Sequence, residues 1–309
     1  MVKKNKILTF MLITLIIVIT GCGKEKEKSK YNIVATNFPG YDFARAVIKD
    51  VEDTSVDMLL KPGAEIHDYE PTPQDIIKIK ESDVFIYVGG ESDSWVLDIL
   101  SAIDTKKTKI IKLMDLVFLH KEEIVDGMDD EDEDEYDEHV WTSPKNAITI
   151  IEKIKDEIIA IDSENKNKYI DNANNYIKDL NDIDTEIRNV VNNSKRNTLV
   201  FGDRFPLRYF IEEYNLSYRA AHKGCSESSE ASAKTIAYLI NYIKENNIPV
   251  IFHIELSNKS IANTISKETK TTIMEFHSAH NISKSDFDNG LTYIDLMKKN
   301  IDALKVALN

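Results

Sequence analysis

The sequence predicts an α/β protein with two units of strands and helices on either side of a mostly helical region. Three observations carry that prediction. Short apolar strands alternate with helices through residues 31–113 and again through 197–309, the pattern of mainly parallel sheets covered by helices. Pro144 to Ser194 reads as helix with a break near Asp162-Ser163; Ser143 is a good N-cap and Pro144 suits the first helical position. The length of 309 residues is ample for two domains with real cores.

The chain opens Met1-Val2-Lys3-Lys4-Asn5-Lys6, and an uncharged apolar run follows from Ile7 to Ile19. A basic start, a short apolar run and small residues before a cleavage point mark an export signal. The run is short of the ~20 apolar residues that a spanning helix needs. Ile19-Thr20-Gly21-Cys22 resembles the lipobox of bacterial lipoproteins, which implies cleavage before Cys22 and acylation of it. Several acyl chains anchor stably where one does not. Gly23 to Lys30 has no hydrophobic residue to bury and is expected to be a flexible tether.

Loss of Lys3, Lys4 and Lys6 with the signal takes the formal charge from −14 to −17. Such a chain is a poor nucleic-acid binder, which would need Lys and Arg to neutralise phosphates. It suits a cationic ligand. With Cys22 lipidated, Cys225 is the remaining thiol, so neither an intramolecular disulfide nor a cysteine-based zinc site is expected.

In the first unit, strands are predicted at Tyr31 to Ala35, Ser55 to Leu60, Val84 to Val88 and Lys109 to Leu113. Helices are predicted at Asp42 to Lys49, Pro73 to Glu81 and Trp95 to Ile103. Thr72 can cap the second helix, with Pro73 first and Asp75 near its positive end. His67 lies in the loop after the second strand, among Glu65, Asp68 and Glu70. Ligands in parallel sheets sit beyond the carboxyl ends of strands, and carboxylates there orient imidazoles. The loop Asp126 to Glu138 holds seven consecutive acids, Asp129 to Glu135. It is expected to be solvated and disordered, and a weak cation collector.

In the second unit, strands are predicted at Asn197 to Phe201, Ser217 to Ala221, Pro249 to Ile254 and Thr271 to Phe276. Helices are predicted at Leu207 to Tyr214, Ala231 to Asn246, Ser260 to Thr269 and Tyr293 to Leu308. Asp203 and His277 both follow strands, and His139 stands just before the connecting helices. If the strand ends of both units face one cleft, these residues and His67 can converge. Zinc takes about four N, S or O ligands in a tetrahedron.

Pro62-Gly63-Ala64-Glu65-Ile66-His67-Asp68-Tyr69-Glu70-Pro71-Thr72 and Glu138-His139-Val140-Trp141-Thr142-Ser143-Pro144-Lys145-Asn146 together resemble the cluster A-I substrate-binding lipoproteins of metal ABC importers, the ZnuA-like zinc and manganese group. The resemblance covers essentially the whole mature chain. It implies two α/β lobes, each with a mainly parallel sheet flanked by helices, joined by a long rigid helix, with one metal ion in the cleft. The family's first two ligands match His67 and His139, and a further one falls at or near His277. The position after the first strand of the second lobe usually holds His or Glu; here Phe201-Gly202-Asp203-Arg204-Phe205 leaves Asp203 as the donor. Arg204 cannot ligate. Glu65, His222, Glu230 and His280 are the substitutes open to the site. His253 reads as a core or supporting histidine, and His120 as surface.

The expected cargo is Zn2+, since imidazoles with one carboxylate suit it, with Mn2+ as the alternative. The expected partners are the membrane permease and ATPase of an ABC importer. The protein itself is expected to be an exported monomer, lipid-anchored to the outer face of the cytoplasmic membrane, and not an enzyme. The expected divisions are a signal peptide at 1–21, a lipidated Cys and tether at 22–30, an N-terminal lobe at 31–142 with the acidic loop at 126–138, connecting helices at 143–196 and a C-terminal lobe at 197–309. A secreted metalloenzyme is one alternative, although no His-Glu-x-x-His pair or Gly-x-Ser-x-Gly elbow is present. A surface adhesin is another.

Overall fold

Four parallel strands form the sheet of the N-terminal lobe, in the order β2 (Thr54–Met58), β1 (Tyr31–Ala35), β3 (Val84–Tyr87), β4 (Lys109–Lys112). The computed structural model describes residues 29–64, 69–129, 135–224 and 230–309. The export signal with Cys22, Glu65, His67, the central acids 130–134 and Cys225 lie outside the described residues. Every residue of β3 is buried, which explains an apolar run without alternation: helices cover both faces.

Helix α1 (Phe38–Val47) begins earlier than the predicted Asp42. Asn37 caps it, its Oδ1 accepting the Gly40 N–H at 3.2 Å, and Pro39 sits in the first turn, where its missing N–H is harmless. Helix α2 (Pro73–Glu81) starts as predicted, from a reciprocal capping box between Thr72 and Asp75. Helix α3 (Trp95–Ala102) leads to β4. The chain leaves β1 towards β2 on one side, and β3 lies on the other, so the switch point is the β1–β3 crevice. The loops beyond it carry Asn37 and Asp93, both buried.

The connecting region is a packed pair of helices, α4 (Pro144–Ile161) and α5 (Lys166–Asn192). At 1.5 Å per residue the 27-residue α5 spans about 40 Å. The predicted break is real: Asp162 Oδ2 accepts hydrogen bonds from Asn165 Nδ2 at 2.7 Å and from Tyr169 Oη at 2.8 Å. These bonds hold the corner between the two helices.

In the C-terminal lobe β5 (Thr198–Val200) pairs with β7 (Ser217–Arg219), and β9 (Val250–His253) with β10 (Thr272–Glu275). A short pair joins β6 (Arg204–Phe205) to β8 (His222–Lys223). All three pairs are parallel. Phe201 bridges to Phe252, and the Gly202 N–H donates to the Phe252 carbonyl at 2.9 Å, joining β5 to β9. A Cβ on Gly202 would meet the backbone of Ala262 at 2.7 Å, so this crossing requires glycine. Helices α6 (Arg208–Tyr214), α7 (Ala233–Asn246), α8 (Ser260–Thr269), α9 (Lys284–Asp288) and α10 (Tyr293–Ala307) complete the lobe.

One apolar core runs through both lobes and the connecting helices, and includes Phe43, Trp141, Ile154, Phe252 and Tyr293. Within it Asp42 of α1 accepts from Tyr176 Oη of α5 at 2.6 Å and from the Tyr293 N–H of α10 at 2.9 Å, and pairs with Arg45. Burial raises the Asp42 pKa, although Arg45 and these donors oppose the rise. A buried carboxylate persists only with such partners. Here the partners come from three elements, so the same contacts tie the first lobe to the last helix.

Candidate metal centre

His139 precedes a single helical turn, Val140–Thr142, that leads into α4. Asp137 Oδ1 accepts the His139 backbone N–H at 2.8 Å and lies 3.1 Å from the ring Nδ1. A carboxylate on Nδ1 fixes the ring and leaves Nε2 to offer its lone pair, the usual arrangement behind a metal-ligating imidazole. Burial alone lowers the His139 pKa. The charge and hydrogen bond of Asp137, with Glu138 and Glu122 behind them, reverse this and hold it above the ordinary imidazole value.

Among the described residues, Glu138, His139 and His280 bring ligand atoms within 4.8 Å of one another, and all three are buried. The two imidazoles stand edge to face with centroids 5.0 Å apart. Trp141 packs on both rings, and its indole N–H donates to the Ser278 carbonyl at 2.8 Å. The wall that carries His139 thereby grips the turn that carries His280.

Glu255 holds that turn from behind. Its carboxylate accepts the Ser278 N–H at 2.7 Å, the Ser278 hydroxyl at 2.6 Å and the His280 N–H at 3.0 Å. Ala279 takes a left-handed conformation with φ 60°, which wraps the chain tightly enough for one carboxylate to reach all three donors. Glu138 plays a similar part towards the first lobe, accepting from the Ser92 hydroxyl at 2.6 Å and the Ser92 N–H at 3.2 Å. Burial raises the Glu138 pKa against the pull of His139 and Ser92. Behind Ser92, burial and then Glu138 push the Asp93 carboxyl up to about 7, against hydrogen bonds from Val88 and Thr36.

A cavity of about 30 Å³ adjoins His139 and His280, lined also by Ala64, Arg204, Glu255 and Asn281. A space of that size takes a single small ion or a water.

The other predicted donors are placed differently. His277 is buried, but its Nδ1 accepts the Ala279 N–H at 2.8 Å, and Asn300 holds its backbone N–H and carbonyl, each at 2.7 Å. The histidine three residues later occupies the donor cluster instead. The Asp203 carboxylate accepts the Arg204 N–H at 2.9 Å and the Ile254 N–H at 3.4 Å, serving the local backbone rather than the cluster. His222 is a buried strand residue in register with Arg204, and Glu230 is exposed; neither is in the cluster. His253 lies in β9 with its Nδ1 2.8 Å from the Ile254 carbonyl. His120 is packed between Phe118 and Tyr209 rather than free on the surface. Glu138 was not expected among the donors. Its adjacency to His139, inside the motif already singled out, was the available signal.

Residues 33–307 match the family described as zinc-uptake complex component A, periplasmic. The chain belongs to this family. Its members are the solute-binding components of transport systems acting outside the cytoplasm. The chain is 33% identical over 309 residues to the zinc-binding lipoprotein AdcA of Streptococcus pneumoniae, an alignment that covers 98% of this chain and 60% of that protein. It therefore spans about 60% of the length of that relative. It is 31% identical over 319 residues to the high-affinity zinc uptake system protein ZnuA of Bacillus subtilis, covering 97% of this chain and 96% of the relative. The Zn(II)-bound ZnuA-like domain of the S. pneumoniae AdcA superposes with a TM-score of 0.75 at 32% identity, over 90% of this chain and 99% of that domain. Among the described residues no helix is long and apolar enough to cross a membrane.

Proposed function

We propose that this chain captures one zinc ion between its lobes and hands it to the permease and ATPase of an ABC importer. The observation that carries this reading is the meeting of His139 and His280, from opposite lobes, at an ion-sized cavity with Asp137 fixed behind the first imidazole. His67 is the third donor in this reading. Ala64 lines the cavity, and His67 follows it by three positions in the sequence. Glu138 supplies a buried carboxylate in the same cluster. An imidazole-rich set with little oxygen favours zinc over manganese, as do the names of the relatives.

The lipobox-like Ile19-Thr20-Gly21-Cys22 supports cleavage before Cys22 and a lipid anchor on the outer face of the cytoplasmic membrane. The divisions proposed are a tether at 22–30, lobes at 31–142 and 197–309, and connecting helices at 143–196. In this reading the protein acts as a monomer, with every proposed donor supplied by one chain. Metal analysis followed by competition tests the cargo: purified protein offered equal zinc and manganese should retain zinc. Retention of manganese at equal concentrations overturns the choice of metal.

A further inference from the structure

The residue after His280 reaches across to the other lobe. Asn281 Nδ2 donates to the Lys61 carbonyl at 2.9 Å and to the Ala64 carbonyl at 2.7 Å, while its Oδ1 accepts the Ile282 N–H at 2.8 Å. The partners fix the orientation of this amide, because the two carbonyls can only accept and the N–H can only donate. The Gly63 N–H donates in return to the Ile282 carbonyl at 2.8 Å. The turn Lys61-Pro62-Gly63-Ala64 also closes on itself, through the Ala64 N–H to the Lys61 carbonyl at 3.0 Å, and uses a positive φ at Gly63. Ala64 and Asn281 both line the ion-sized cavity.

We infer that Asn281 is a positioning residue that sets how long the bound metal is retained, by pinning the 61–64 turn of the first lobe to the turn that carries His280. The inference rests on the proposed zinc site. An ion leaving through this face needs the two turns to part, which breaks both amide donations and the Gly63 bond together.

The test compares Asn281→Asp and Asn281→Ala with the full wild-type chain, loading zinc and chasing it with an excess of chelator. The Asp variant keeps an acceptor for the Ile282 N–H but turns a carboxylate oxygen towards two carbonyls. Its added negative charge would by itself hold a cation more tightly, so faster loss cannot come from simple electrostatics. Both variants should release zinc about 10–100-fold faster, the range typical for losing a residue that supports a metal site. Amide exchange at Gly63 and Ala64 should quicken in the zinc-loaded state, and Asn281→Ala should also lower the metal-free melting temperature, because the buried Ile282 N–H loses its acceptor. Wild-type release from both variants overturns the inference, as does a fall in metal-free stability with release unchanged. His280→Ala separates the two levels: loss of zinc there, with normal release from the Asn281 variants, leaves the site standing and removes only the retention role.

Discussion

Replacing Asp137 by Asn is the sharpest perturbation of the site that leaves its shape intact. Asp137 Oδ1 serves two donors of one residue, the His139 backbone N–H at 2.8 Å and the ring Nδ1 at 3.1 Å. Asn can still accept there, so the ring keeps its orientation and loses only the negative charge behind it. A partner of this kind supports metal affinity by about 10–100-fold, or roughly 1.4–2.7 kcal/mol. Asp137→Ala should also leave the buried His139 N–H without an acceptor, at a cost of about 1–3 kcal/mol in stability. The pH dependence follows from the raised His139 pKa, in which burial is outweighed by Asp137. With Nδ1 held by the carboxylate, the proton that titrates sits on Nε2, where zinc must bind, so affinity falls as pH drops through that raised value. In the Asn variant the fall should move to lower pH. For the metal-free protein the sign is opposite. Protonated His139 stabilises the fold fully below its unfolded pKa, and the gain is lost as pH rises through the higher folded value; the Asn variant should flatten this slope. Chelator competition titrations across pH, with melting curves of metal-free protein, measure both effects. Wild-type affinity and an unshifted profile in Asp137→Asn would refute the role given to Asp137.

Asp93→Asn tests the buried carboxylate raised to about 7 by burial and Glu138. Between the unfolded value and about 7 the folded state holds a proton that the unfolded chain does not, so wild-type stability falls as pH rises through that window and levels above it. The Asn variant should melt higher than wild type at pH above that value, and the gap should close in acid; a gap independent of pH would count against it. His277→Ala should lower the metal-free melting temperature, because the Ala279 N–H loses its acceptor. It should weaken zinc less than His280→Ala does, and an equal or larger loss would return His277 to the donor set.

Much of the fold was legible because its causes are local. Val84 to Tyr87 is apolar throughout because both faces are covered, and the caps at Thr72 and Ser143 mark helix starts that the structure keeps. Helix α1 starts four residues before the predicted Asp42, because Asn37 caps a first turn that contains Pro39 and Gly40. The candidate site was legible where one motif contains both a candidate donor and its support, as in Asp137-Glu138-His139. It was not legible in the second lobe. Which of His277 and His280 faces the cavity depends on the left-handed Ala279 and on Glu255, a residue more than twenty positions earlier. Asp203 looked like a donor because it follows a strand, but whether its carboxylate faces a cleft or caps its own backbone is settled by β9, which no local pattern reports.

The central claim is that His139 and His280 hold the metal together from opposite lobes. Isothermal titration of zinc into the wild type, His139→Ala and His280→Ala, with His253→Ala as a control for a buried histidine outside the cluster, tests it most directly. The account predicts one zinc per wild-type chain, a nearly unchanged isotherm for His253→Ala, and affinity reduced by more than about 100-fold in each of the other two, beyond what loss of a mere supporting residue costs. Wild-type affinity in either His139→Ala or His280→Ala would contradict it.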